Sequence, residues 1–482
     1  MPDNLPANWA AHWAADPHRE VLRAPGGLRL SGAEFADRTA ALAGRYAAAG
    51  LTPGDRVLMS AAPSVDLVLA HVAALRYGLT VVPANTGYTA PELAHLVADA
   101  RPVLAVLDDP SRAAGLPATT PDLATLPSGQ STVDGLDRAA AGDPALIVYT
   151  SGTTGTPKGA VLSHANLLAS ARSVGTAWHW HADDRLVLSL PLFHVHGLGV
   201  GLYGTLTAGA SLVLLPAFDP GAVASAIAQH RGTLFFGVPT MYHRLAGAGR
   251  LDGLRPLRLA VSGSAPLPAD LFAAVEAGSG QRVLERYGMT ETGMLASNPY
   301  EGERRPGTVG FPLPGVELRL APCRSEVDGG VTEVEVRGPN VFAGYLGRPP
   351  GDTFTEDGWL RTGDLGGRDA DGYLCLRGRA RELIISGGYN VYPREVEEAL
   401  RAHPAVADAA VAGVPSAEWG ERVVAYVVPA GTGDGLAAEL DGWCAQRLAP
   451  YKRPREWRWI QSVPRNAMGK VLRHQLPDGA QP

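Results

Sequence analysis

The sequence is short of cysteine, of net charge and of long apolar runs, and each shortage removes a class of protein. Its 3 cysteines, Cys323, Cys375 and Cys444, lie far apart. They fit neither a disulfide framework nor a zinc-ligand spacing, and read as incidental thiols of a reducing compartment. With 42 Lys and Arg against 48 Asp and Glu, the net charge is only −6, so nothing biases the chain toward nucleic acid or an anionic membrane. No apolar run reaches bilayer-spanning length. The opening stretch MPDNLPANWAAHWAADPHRE has neither the basic nor the apolar region of a secretory signal. A cytoplasmic protein is expected.

What is present is a globular composition, 46% apolar, spread over 482 residues. That length exceeds what one hydrophobic core usually serves, so more than one domain is expected. Short β-rich runs alternate with helical patterns through the first three quarters, as in RVLMSA (56–61), SVDLVLAHVAALRYG (64–78) and TVVPAN (80–85). TLFFGVPTMYHRLAG and LRLAVSGSAPLPADLFAAVEAG repeat the scheme of strand, small-residue turn and helix. Such alternation predicts an α/β sheet with ligands at the carboxyl ends of its strands. The weakly periodic stretch 108–130 is expected to be a surface connection. From about Gly310 the segments become shorter and β-rich, and a compact region with its own helices and strands follows Arg381. The domains are therefore expected at 1–380 and 381–482.

The stretch YTSGTTGTPKGAVLSH (149–164) crowds Gly, Ser and Thr around a single Lys158, the composition of a loop that holds phosphate. It is not a P-loop, because Lys158 follows a proline and precedes a glycine. Four further motifs follow in order: RYGMTETG (286–293), GWLRTGDLG (358–366), GRARELIISGGYNVYPREVE (378–397) and PRNAMGK (464–470). Together the five resemble the AMP-forming acyl-CoA synthetases of the adenylate-forming superfamily, along nearly the whole chain. The resemblance implies a large multi-sheet amino-terminal domain and a small mobile α+β carboxy-terminal one. It also implies ATP, Mg²⁺ and coenzyme A, and two steps. A carboxylate first displaces pyrophosphate to form an acyl-adenylate, and a thiol then displaces AMP.

The same resemblance assigns roles to residues. Thr150, Ser151, Gly152, Thr153, Thr154, Gly155 and Lys158 would wrap the leaving phosphates, neutralising charge as pyrophosphate departs. Tyr287 would stack on adenine, flanked by Glu285 and Gly288. Thr290 would hold the α-phosphate and Glu291 the magnesium, which accepts one carboxylate among phosphate oxygens. Asp364 and Arg379 would hold the ribose. Gly263, Ser264 and Ala265 would form the wall between adenine and acyl group. Lys470 would bridge the attacking carboxylate and the phosphoryl oxygens. Rotation about Arg381, where relatives carry Asp or Lys, would withdraw Lys470 and present Gly387 and Gly388 to the pantetheine arm. Lys452 and Arg453 would meet the phosphates of coenzyme A.

The acid itself is read from Arg286. If Tyr287 faces adenine, strand alternation turns Arg286 to the acyl side, where a cation is costly without an anion. A second substrate carboxylate would supply one, with His194 as a further donor and catalytic neighbour, and with Val195 and Met294 limiting the pocket to small substituents. LERYGMTETGM resembles the malonyl-CoA synthetases, so malonate or methylmalonate is the expected substrate. The competing reading pairs Arg286 with Glu285 or Glu291. The alternatives are a ligase for a short-chain or aryl monocarboxylate, an adenylation enzyme that loads a separate carrier protein, and a nucleotide-binding scaffold without turnover. The His-x-His of FHVHG has no companion cluster that would make it a metal site.

Overall fold

A computed structural model describes residues 2–109, 112, 133–150, 157–322, 332–387, 389–416, 418–431 and 435–477. The connection expected at 108–130 falls almost wholly outside these residues, as does Cys323. The periodic segments take the predicted forms for local reasons. Ser64 accepts the amide of Leu67 and starts the helix Val65–Tyr77, and Gly78 ends it at φ 86, a left-handed conformation that glycine enters without strain.

Among the described residues the strands form four sheets. A six-stranded sheet holds Arg56–Ser60, Thr80–Pro83, Leu104–Leu107 and Pro144–Thr150 in parallel pairings, and then turns antiparallel through Lys158–Ser163 and the edge strand Gly344–Tyr345. A nine-stranded sheet contains the parallel neighbours Leu234–Gly237, Leu259–Ser262 and Leu284–Met289. The core strands Thr80–Pro83, Leu234–Gly237 and Leu259–Ser262 are buried along their whole length, which is why they read as apolar runs without alternation. An antiparallel four-stranded sheet is built from Glu317–Pro322, Thr332–Arg337, Leu360–Arg368 and Leu374–Arg379.

The fourth sheet begins at Ile384 and has its own core. There Val396 and Leu400 of the helix Pro393–Arg401, and Leu436 and Leu440 of the helix Leu436–Arg447, pack on the long hairpin Val406–Ser416 and Gly420–Pro429. The architecture is thus the large multi-sheet α/β domain plus a small α+β domain. Met468, near the end of the chain, belongs to the core of the large domain and not to the small one. No helix among the described residues is long and apolar enough to cross a membrane.

Candidate active site

Three turns converge at the carboxyl ends of the parallel strands, the usual place for a ligand in such a sheet. Gly263 and Ser264 follow Leu259–Ser262, Thr290 and Glu291 follow Leu284–Met289, and Thr240 opens the helix after Leu234–Gly237. Beside them, Thr150 and Lys158 are direct cross-strand partners. The pairing sets the two ends of the Gly/Thr-rich loop side by side. Ser151, Gly152, Thr153, Thr154 and Gly155 lie outside the described residues.

Lys158 and Glu291 are linked through a residue that the sequence motifs did not single out. The hydroxyl of Tyr345 donates to Glu291 Oε1 at 2.8 Å, and Lys158 Nζ stands 5.6 Å from the centroid of the same ring, within cation–π range. Tyr345 reaches this place because the short strand Gly344–Tyr345 pairs with Ala160 and Val161 at the sheet edge. Glu291 is buried, and among the described residues only its Oε1 is engaged. A single buried carboxylate with one free oxygen suits Mg²⁺, which takes one or two carboxylates plus phosphate and water oxygens.

Tyr287 and Asp364 are joined by a 2.5 Å hydrogen bond from the phenol to Oδ2. Arg379 Nε meets the other oxygen of Asp364 at 2.9 Å, a contact set by the cross-strand pairing of the two residues. Burial and Asp364 raise the Tyr287 phenol well above its ordinary range, so it stays a donor. Gly288 is required here, since a Cβ would fall 2.2 Å from the carbonyl oxygen of Gly293. Glu285, expected beside the nucleotide, has one oxygen engaged by the protein, its Oε1 accepting the amide of Leu267 at 3.0 Å, while Oε2 has no partner among the described residues.

Arg286 points the other way. Its guanidinium lies on the backbone of Gly263, where a Cβ would sit 2.3 Å from Cζ. The residue is 4% exposed, and its Nε and Nη2 are buried without a hydrogen-bond partner. Neither Glu285 nor Glu291 forms an ion pair with it: the first holds the Leu267 amide and the second the Tyr345 hydroxyl. Burial lowers Arg286 to about 9, which leaves it charged at neutral pH. His194 is lowered to about 4 by burial and then by the Arg286 charge, and His196 is lowered well below its ordinary value for the same reasons. Both imidazoles are therefore neutral hydrogen-bonding groups. His196 N–H donates to His194 Nδ1 at 3.3 Å, His196 Nδ1 lies 3.3 Å from Ser264 Oγ, and its Nε2 is buried and unpartnered. Ser264 holds φ 70, a strained value for a non-glycine residue that marks functional turns. His196 also opens a π-helical turn, His196–Leu202, another feature frequent at functional sites. Val195 and Met294 are buried in the same region of the large core.

Lys470 arrives from the small domain. Met468 sits in the large core, and a Cβ on Gly469 would touch Thr240 Cγ2 at 3.1 Å. This docking surrounds Lys470 with Arg379, Glu382, Asp364 and Arg381, and burial followed by Arg379 lowers it to about 8. The lysine thus lies within range of the charges of Asp364 and Arg379, the pair that holds Tyr287. Gly387 is elsewhere in this arrangement, with its amide bonded to the Trp419 carbonyl at 2.8 Å and its Cα against the Trp419 ring. Gly388 lies outside the described residues. Lys452 is paired with Glu395 at 2.6 Å, and Arg453 donates to the carbonyls of Leu448 and Ala445. Both cations are engaged within the small domain.

Comparison with known families decides what this constellation is. The family described as AMP-binding enzyme matches residues 9–346, and its C-terminal domain matches residues 395–470. The chain belongs to this family. It is an AMP-forming acyl-CoA synthetase. The synthetase is 38% identical to a feruloyl-CoA synthase of Amycolatopsis sp, covering 95% of this chain and 96% of that one. It is 38% identical to a sulfoacetate–CoA ligase of Cupriavidus necator, covering 97% and 95%, and 35% identical to a malonate–CoA ligase of Arabidopsis thaliana, covering 90% and 79%. Among solved structures it superposes on ATP-bound MatB of Rhodopseudomonas palustris with a TM-score of 0.88 at 40% identity, over 98% and 97% of the chains. A malonyl-CoA ligase with methylmalonyl-CoA and AMP bound is 44% identical over 93% and 97% of the chains, yet its TM-score is 0.68. The synthetase's own arrangement is thus closer to that of ATP-bound MatB than to that of the product complex.

Proposed function

We propose that this synthetase activates malonate or methylmalonate. ATP, Mg²⁺ and coenzyme A are the partners of its reaction class. One observation carries the choice of acid: a charged, buried guanidinium, Arg286, with Nε and Nη2 unpartnered, beside the neutral His194 and His196. An unpaired buried cation is costly, and a substrate carboxylate satisfies Arg286 with the bidentate geometry that guanidinium favours. The unpartnered Nε2 of His196 supports a further hydrogen bond to the acid, and the buried Val195 and Met294 would leave room for a small C2 substituent.

In this reading the substrate's second carboxylate is held at Arg286, and its first attacks the α-phosphorus of ATP. The new bond is carboxylate oxygen to phosphorus; the bond broken is phosphorus to the bridging oxygen of pyrophosphate. Lys470 and Thr290 stabilise charge on the α-phosphoryl oxygens, while Lys158 neutralises the leaving group. Glu291 would hold Mg²⁺, which would supply further neutralisation of phosphate charge. The thiol of coenzyme A then attacks the acyl carbon of the mixed anhydride, AMP leaves, and a proton is released. That second step needs the small domain to turn, bringing Gly387 and Gly388 toward the acyl group.

The test is thioester formation from acetate, butyrate, benzoate, ferulate, sulfoacetate, malonate, methylmalonate and succinate, by the wild type and by Arg286→Ala. Selective use of malonate and methylmalonate, lost in the variant while AMP binding persists, is expected. Preference for ferulate or a simple monocarboxylate overturns the reading. Preference for sulfoacetate keeps Arg286 as the anion anchor and replaces the acid.

A further inference from the structure

We propose that Arg394 is the latch that holds the small domain in the orientation needed for the first half-reaction. The inference rests on the two-step reading above, in which the domain takes two positions.

Arg394 lies in the first turn of the helix Pro393–Arg401, on the small domain. Its Nη1 crosses to the large domain and donates to the carbonyl of Leu376 at 2.8 Å, in the strand Leu374–Arg379. Its Nε is held at 2.7 Å by Glu398, one helical turn away on its own domain. The arginine is mostly buried, while Glu398 is mostly exposed. Glu398 thus fixes the rotamer from the solvent side, and the free edge of the guanidinium faces the partner domain.

A second feature of the large domain lies within range of the charge on Arg394. Glu285 is buried in the large domain with Oε2 unpartnered, and burial raises it to about 7. Two charges of the small domain act on it in opposite senses, Arg394 lowering it and Glu398 raising it. The small domain therefore brings the Arg394–Glu398 ion pair toward a desolvated carboxyl on the large one, and takes it away when it turns. Glu285 adjoins Arg286 and Tyr287 on the strand Leu284–Met289, so the charges of the latch reach that strand without a bond to it.

The geometry also separates this contact from the chemistry. Arg394 touches none of the residues assigned to ATP, acid or Lys470, and its bonds go to Leu376 and Glu398 alone. It is a positioning residue. Removing it weakens one of the two orientations and leaves the other untouched, since the bond to Leu376 belongs to this arrangement only.

The experiment separates the half-reactions in the full-length protein. Acid-dependent exchange of pyrophosphate into ATP reports the first, and thioester formation from preformed acyl-adenylate and coenzyme A reports the second. For Arg394→Ala the exchange rate is expected to fall roughly tenfold, the scale of one lost charge-assisted hydrogen bond, with the second half-reaction unchanged or faster. Arg394→Lys, which keeps a charge and a donor, should recover part of the loss. Equal loss in both half-reactions marks a structural role and overturns the latch, as does loss confined to the second or no loss at all. Absence of exchange by the wild type with malonate would instead count against the choice of acid, and the comparison is then made with whichever acid supports exchange.

Discussion

Replacing Gly263 by alanine tests the anion anchor without removing any charge. A methyl group at this position would fall 2.3 Å from Arg286 Cζ, 2.4 Å from Nε and 2.7 Å from Nη1. Non-bonded heavy atoms settle at roughly 3.5–4.0 Å, so the guanidinium must retreat by about 1 Å or more. A misplacement of about 1 Å in a reacting complex costs on the order of 10²-fold, equivalent to about 2.7 kcal/mol of transition-state stabilisation. Gly263 also borders the wall shared by all acids, so the informative quantity is a ratio. In Gly263→Ala the value of kcat/KM for malonate should fall about 10²-fold relative to wild type, and that for butyrate should fall much less. Thermal unfolding run alongside confirms that the variant is folded. An equal fall for the two acids, or an undiminished rate with malonate, would falsify the argument that Arg286 recognises the second carboxylate.

Two further outcomes follow from the site. Lys470 acts as a cation, and burial with the Arg379 charge lowers it to about 8, so its charged fraction is full below that value and lost as pH rises through it. The kcat/KM of the adenylation half-reaction should therefore decline above about pH 8, with the limb displaced upward once ATP is bound and its phosphates favour the ammonium. Lys470→Arg, which stays charged, should be slower but lack that limb, and an unchanged profile in this variant removes Lys470 as its source. Tyr345→Phe retains the ring under Lys158 and deletes the hydroxyl on Glu291. The Mg²⁺ concentration needed for half-maximal adenylation should shift by about tenfold, the effect of losing a group that orients a metal ligand; an unaltered Mg²⁺ requirement contradicts the positioning role given to Tyr345.

Much of this was legible in the chain. The strand-turn-helix units around 56–85, 234–247 and 259–279 follow from apolar runs bounded by capping residues, Pro and Gly, which act locally. The five motifs singled out the Tyr287–Glu291 turn, Asp364, Arg379 and Lys470, which the fold brings near one another, because each motif is a short contiguous segment. Strand alternation alone separated Arg286 from Tyr287, which is a property of the backbone at neighbouring positions.

Pairings between distant segments could not be read the same way. Tyr345 reaches Glu291 and Lys158 through an edge strand whose partner is more than 180 residues away in sequence. That Arg286 has no ion pair among the described residues depends on where the fold points the Glu285 and Glu291 carboxylates, and each was an equally good partner by sequence. The same applies to His196, which shares a short motif with His194 but meets Ser264 only in the fold. Lys452 and Arg453 looked free in a basic segment and are engaged within the small domain. The sequence by itself determined the candidate residues and the elements that present them, because both depend on local spacing. Only the tertiary structure decided which charge is left unpaired and which domain orientation meets Lys470, because those depend on contacts between segments that the chain order does not bring together.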